Sequence, residues 1–228
     1  MKRLVALVEG EGDQAAVPNL IARLLAEHPA ECQGSLFVDD RGTRKIGNVH
    51  EISGRLQSEW LRHLRNAANR ANLGAVLLLL DGDSDTFEDQ PFCAAVAART
   101  LAERARQAGA GVGFSVGVVF LRQEYESLLI ASYPTLPERR EGVARPTNPE
   151  ESPRGAKKWL AENRDGGYKE TRDQAILTQA AGLDLIRAAN LRSFRRLEHA
   201  LLELAVAAQT GQHISSPAAP PQPPAEPT

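Results

Sequence analysis

The chain has 228 residues, 42% of them hydrophobic and 25% charged, with a formal net charge of −2, which excludes global disorder and any bulk attraction to nucleic acid or anionic membrane. Two cysteines far apart in sequence, Cys32 and Cys93, make no metal-type pair and fit a reducing compartment. The longest apolar run stops at Asp81, well short of a membrane span, and the N-terminal one is too short for a signal peptide, so a soluble cytoplasmic protein is expected.

Arg3 to Val8 reads as a buried strand, a short apolar run closed by Glu9-Gly10-Glu11-Gly12-Asp13. A helix is expected over Gln14 to Glu27, with Pro18 tolerated in its first turns. Ser35 to Val38 is a second short strand, and Arg41 to Val49 a loop. Ile52 to Ala71 carries the apolar stripe of one long amphipathic helix. Ala75 to Leu80 is apolar at every position, as in a parallel strand covered on both faces, and ends in Asp81-Gly82-Asp83-Ser84-Asp85. Pro91 is suited to a helix start and opens a helix from Phe92 to Ala108. Val112 to Leu121 is the fourth strand, and Tyr125 to Ser132 a short helix. This alternation predicts an α/β fold with a mostly parallel four-stranded sheet flanked by helices, over residues 1–132.

Residues 133–154 hold many prolines and charges and read as an irregular connection. Helices are expected over Ala156 to Asn163, Arg172 to Ala181, Leu183 to Ala189 and Phe194 to Gln209, a helical extension over 155–210. Thr171 with Gln174 resembles a capping box, and Ser193 an N-cap. The tail, 211–228, is rich in Pro and Ala, without apolar periodicity, and reads as disordered.

In an open α/β sheet, ligands bind at the carboxyl ends of the strands. If the first and third strands are neighbours, Glu9, Asp13, Asp81, Asp83 and Asp85 converge there. Such carboxylates repel one another unless a cation sits between them, and oxygen-only ligands suit Mg²⁺ or Mn²⁺. Asp and Gly after a strand are also ordinary turn residues, and Asp13 at a helix start also favours the helix dipole. A rival reading takes Gly10-Glu11-Gly12-Asp13-Gln14-Ala15 as G-x-G-x-x-A, with Asp39 as the ribose-binding acid of a dinucleotide site. Three acids around a pyrophosphate make that site electrostatically poor.

The strand-terminal Glu9-Gly10 followed by Asp81-Gly82-Asp83 resembles the toprim signature shared by topoisomerases, primases and overcoming-lysogenization-defect (OLD) nucleases. Three further pieces resemble a bacterial toprim-like family that includes the nuclease subunit of the PARIS anti-phage system: Arg122-Gln123-Glu124-Tyr125-Glu126-Ser127-Leu128-Leu129, Tyr168-Lys169 with Gln174, and Ser193-Phe194-Arg195-Arg196-Leu197. The resemblance spans about residues 2–205. It implies a toprim-like (Rossmann-like) core and an Mg²⁺- or Mn²⁺-dependent nuclease that cuts nucleic acid, transfer RNA among its candidates. It also implies an ABC-type ATPase partner and a role in defence against phage.

On that resemblance Glu9 is a metal ligand or general base, and Asp81 and Asp83 are metal ligands. Glu124 and Glu126 fall where related nucleases carry further acids, a charged solvated turn being equally open. Lys169 is the expected transition-state cation, with Lys157 and Lys158 in reserve; each can also be a plain surface lysine. Arg192, Arg195 and Arg196 are candidate phosphate contacts, or a solvated helix start. The non-enzymatic alternative is a toprim-shaped docking or regulatory module, and a homo-oligomer remains open.

Overall fold

The computed structural model describes residues 1–28, 32, 34–53, 57–151 and 155–217. In chain order the elements are β1 (Lys2–Val8), α1 (Glu11–Glu27), β2 (Leu36–Val38), β3 (Arg44–Lys45), α2 (Val49–Ser53), α3 (Gln57–Ala68), β4 (Leu73–Asp81), β5 (Thr86–Phe87), β6 (Gln90–Pro91), α4 (Ala94–Ala105), β7 (Ser115–Leu121), α5 (Glu126–Ala131), α6 (Ala156–Glu162), α7 (Glu170–Ala180), α8 (Leu183–Ala188), α9 (Arg192–Thr210) and β8 (Ser215–Pro217). Among the described residues no helix is long and apolar enough to cross a membrane.

The sheet runs β2-β1-β4-β7-β8, with β3 also paired to β1, and every pair in it is parallel. The all-apolar runs become its centre because both faces are covered. Leu4, Ala6, Val8, Ala75, Leu77 and Leu79 face one core with α1, α5 and the C-terminal helices. Val5, Leu7, Val76, Leu78 and Leu80 face the other, with α3 and α4. This is the period-2 alternation of a pleated strand, apolar on both faces. The Trp60 indole N–H donates to the Leu101 carbonyl at 3.0 Å, joining α3 to α4. The chain leaves β1 for β2 on one side and returns through β4 on the other, so the crevice between β1 and β4 is the topological switch point.

The fold is thus the expected α/β, Rossmann-like architecture, but the sheet has six strands rather than four. The two extra strands pair along its sides: β3 on β1 and, from the tail expected to be structureless, Ser215–Pro217 on β7. Residues 218–228 of that tail lie outside the described residues. Pro91 sits in a small antiparallel hairpin with β5, so α4 starts at Ala94, not Phe92. The helix expected over Ile52 to Ala71 comprises α2 and α3, with 54–56 outside the described residues. Because α1 begins at Glu11, Pro18 is its eighth residue and withholds the N–H that the Gln14 carbonyl would otherwise accept. The capping box at Thr171 does not form: α7 is capped at Lys169, whose N–H donates to Asp173 Oδ2 at 2.7 Å. Nor does Ser193 cap α9, which follows Leu191. Buried Glu150 satisfies that helix start instead, accepting from the Arg192 and Ser193 N–H groups at 2.7 and 2.8 Å and from the Ser193 hydroxyl.

Candidate acidic active site at the switch point

Glu9 directly follows β1, Asp81 ends β4, and Glu126 opens α5 after β7, so three adjacent parallel strands each deliver a carboxylate at their C-terminal edge. The Asp81 N–H donates to Glu9 Oε2 at 3.2 Å, fixing the two strand ends together. Asp81 Oδ1 accepts the Tyr125 N–H at 2.9 Å. Gly82 is required beside them: a Cβ there would lie 2.6 Å from the Leu121 carbonyl oxygen. Gln123, at φ 64°, turns the chain from β7 back into α5.

The helical extension closes the site. Asp13 sits in the first turn of α1, where its Oδ2 accepts the Gly10 N–H at 2.9 Å and its Oδ1 accepts the Gln174 amide at 2.6 Å. Asp13 is therefore both a helix cap and a member of the cluster. The Tyr168 hydroxyl donates to Glu126 Oε1 at 2.7 Å. Lys157 is the central cation, with Nζ 2.9 Å from Glu170 Oε2 and 4.0 Å from Glu126 Oε1. Glu9, Asp13, Asp81, Glu126, Lys157 and Glu170 line a polar cavity of about 310 Å³, together with Lys45, Asn48 and Glu51, while Gln174 and Tyr168 stand behind its wall.

Electrostatics follow from crowding. Burial pushes Glu9 up to about 7, with the charges of Asp83 and Asp13 adding to it against the Asp81 N–H and Lys157. Burial likewise pushes Glu126 up to about 7, opposed by Lys157 and the Tyr168 hydroxyl. Asp81 is held well above the usual carboxylate range by burial, then by Asp13, Glu126 and Glu9. Burial also raises Asp13, against its bonds to Gly10 and Gln174. Burial alone would lower the Lys157 ammonium, but Glu126 and Glu170 outweigh it and hold it above its ordinary value.

Among the described residues no group of three or more His, Cys, Asp or Glu side chains is placed to hold a metal ion by itself. The donor set nevertheless fits a hard cation. It is all oxygen, and Glu126 Oε2 is buried without a hydrogen-bond partner among the described residues. Mg²⁺ keeps several waters and binds through one or two carboxylates plus substrate oxygens.

Of the expected residues, the structure brings together Glu9, Asp13, Asp81, Glu126 and Lys157. Asp83 acts on Glu9 by charge but does not line the cavity. Glu124 accepts the Lys157 N–H at 3.3 Å from outside it. Lys169 is exposed at the α7 start and does not line it either, while Lys158 pairs with Glu162 at 3.7 Å on the surface. Arg192 and Arg196 line a neighbouring cavity, and Arg195 is exposed and lines neither. Glu170 was missed; its only signal is an acid in the first turn of α7. Gly10 and Gly12 do not cradle a pyrophosphate. A Cβ on Gly10 would fall 2.6 Å from Glu170 Oε1, and one on Gly12 1.9 Å from Gln174 Oε1, so these glycines admit α7 against α1 and that helix start is covered.

No curated protein and no solved structure matches the chain. A family described only as a domain of unknown function, DUF4276, matches residues 8–202, a span that takes in every residue of the acidic cavity. The chain belongs to the DUF4276 family.

Proposed function

We propose that this protein is a divalent-metal-dependent phosphodiesterase that cuts nucleic acid, with a toprim-like core. The observation that carries this reading is the Asp81 N–H to Glu9 bond of 3.2 Å, which sets two strand-terminal carboxylates side by side at the switch point. Glu9, Asp81 and Glu126 would hold Mg²⁺ or Mn²⁺. When bound, the ion polarises a phosphoryl oxygen and lowers the pKa of its water. Lys157 supplies the cation that offsets charge building on the phosphate, a role that falls to it rather than to Lys169 because Lys157 faces the carboxylates. Gln174 and Tyr168 orient Asp13 and Glu126 from outside the reacting centre.

The resemblance to the PARIS nuclease subunit extends the proposal to an effector of bacterial antiviral defence held by an ABC-type ATPase, with transfer RNA as a candidate substrate. The test is cleavage of labelled RNA and DNA by purified protein with Mg²⁺ or Mn²⁺, alone and with any ATPase found encoded beside it. Absence of cleavage under all these conditions, or full activity in Asp81→Ala, overturns the enzyme.

A second reading has one observation in its favour: Lys157 already pairs with Glu170 inside the cluster, as in a docking module whose acids are structurally neutralised. Stable partner binding by an Asp81→Ala variant, with no cleavage by wild type, selects it.

A further inference from the structure

A second cavity, of about 340 Å³, opens one residue beyond Asp81. Consecutive residues on β4 and its exit, Asp81 and Gly82, line the acidic cavity and this one respectively. The charged side chains on its wall are all cationic: Arg122 after β7, and Arg192 and Arg196 on successive turns of α9. Arg122 is held by Glu151 at 2.8 Å, both residues being exposed. Arg192 and Arg196 have no ion-pair partner among the described residues, and Arg196 Nε is buried without a hydrogen-bond partner there. Glu150, whose charge acts on Arg196, is spent on the α9 start. Burial, then the charge of Arg192, holds the Arg196 guanidinium below its ordinary value.

The cavity also has an aromatic wall. Phe92 is half-buried and packs edge-to-face on Phe120, with ring centroids 5.4 Å apart at 76°, so the ring is braced from behind. Paired guanidinium groups beside a braced ring match the chemistry of a nucleotide, a phosphate with an unpaired base. The volume lies within the range of about 300–1,000 Å³ typical of small-ligand sites.

Resting on the proposed nuclease reading, we infer that this cavity is the subsite for the nucleotide flanking the scissile phosphate of a single-stranded nucleic acid: Arg192 and Arg196 hold its phosphate, and Phe92 stacks its base. A nucleotide inside a duplex fits poorly, because stacked neighbours cover both faces of its base.

The test is fluorescence anisotropy of a labelled single-stranded oligonucleotide with full-length protein in a chelator, so that binding is read without cleavage. Arg192→Ala/Arg196→Ala is expected to weaken binding at least tenfold and to reduce the slope of log K against log salt by about 0.7 for the lost phosphate contact. Phe92→Leu is expected to weaken it by between about fivefold and 150-fold while leaving the salt slope unchanged. Arg192→Glu, at an exposed position, serves if removing the partly buried Arg196 prevents folding, and is expected to weaken binding still further. Wild-type binding too weak to measure, variant affinities within twofold of wild type, or equal binding of a long duplex, in which nearly every base is stacked on both faces, overturns the subsite. Wild-type hydrolysis of bis(p-nitrophenyl) phosphate with Mn²⁺ is measured in parallel. Arginine-dependent binding without any hydrolysis supports the subsite and counts against the nuclease; hydrolysis with oligonucleotide affinity indifferent to both arginines does the reverse.

Discussion

Gln174 donates its side-chain amide to Asp13 Oδ1 at 2.6 Å across 161 residues of chain, fastening α7 to the first turn of α1. Its own Oε1 lies where a Cβ on Gly12 would fall. Gln174→Ala leaves a buried carboxylate oxygen without its donor and is expected to cost about 1–3 kcal/mol. Gly12→Ala is expected to cost about 1–3 kcal/mol by overpacking. Urea denaturation of both single variants and the double variant is expected to show a smaller Gly12→Ala cost in the Gln174→Ala background, because of the two side chains a Cβ there would meet, Gln174 and Glu170, the nearer has gone. Strict additivity would mean that the two helices do not meet as described.

Lys157 separates the two readings of the site. Lys157→Met is expected to lower kcat on nucleic acid by about 100-fold or more, with little change in KM, if its charge acts on the transition state. Lys158→Met, one position on and pointing outward, is expected to have no effect. Equal kinetics in the two variants would remove Lys157 from the chemistry.

The raised carboxylates give the metal-free protein a definite pH dependence. Glu9 and Glu126 move from an ordinary value of 4.5 up to about 7 on folding. The folded state therefore favours their protonated forms, so their contribution is complete below about pH 4.5 and is lost as pH rises towards 7. For fully buried Glu126 the swing is on the order of 3 kcal/mol. Tm in chelator is expected to fall from pH 5 to pH 8. Mg²⁺ is expected to raise Tm more at pH 8 than at pH 5, since it takes the deprotonated acids. A Tm that is flat or rises in chelator, or an Mg²⁺ shift independent of pH, contradicts the arrangement.

Glu150 is expected to be a damaging single loss outside the site. Glu150→Ala leaves two helix-start N–H groups and the Ser193 hydroxyl without their acceptor, at a cost of about 2–4 kcal/mol. Glu150→Gln keeps one acceptor oxygen and is expected to recover about half of that in thermal or urea unfolding.

The strand tips were legible because parallel strands buried on both faces read as unbroken apolar runs, and an acid that ends such a run stands out. Glu9 and Asp81 were placed this way. What packs against those tips was not legible. Glu170 and Gln174 reach the site through α7 lying on α1, a contact with no local signature at either end. Lys157 and Lys158 are adjacent in sequence but about 100° apart around α6, and only the position of the helix decides which one faces in. Ser215–Pro217 has little strand propensity of its own; the open edge of β7 makes it a strand. Glu150 lies in a proline-rich stretch that reads as loop, yet its carboxylate is what the start of α9 requires.

The packing of α7 on α1 also bears on how the protein is made. Glu9, Asp13 and Asp81 leave the ribosome well before Lys157, Glu170 and Gln174, which follow at least 76 residues after Asp81. A nascent polypeptide thus carries these acids for a time without the lysine that faces them or the glutamine that orients them. A chain cut short before α7 holds an incomplete constellation, so any hydrolytic capacity waits until α6 and α7 have been made.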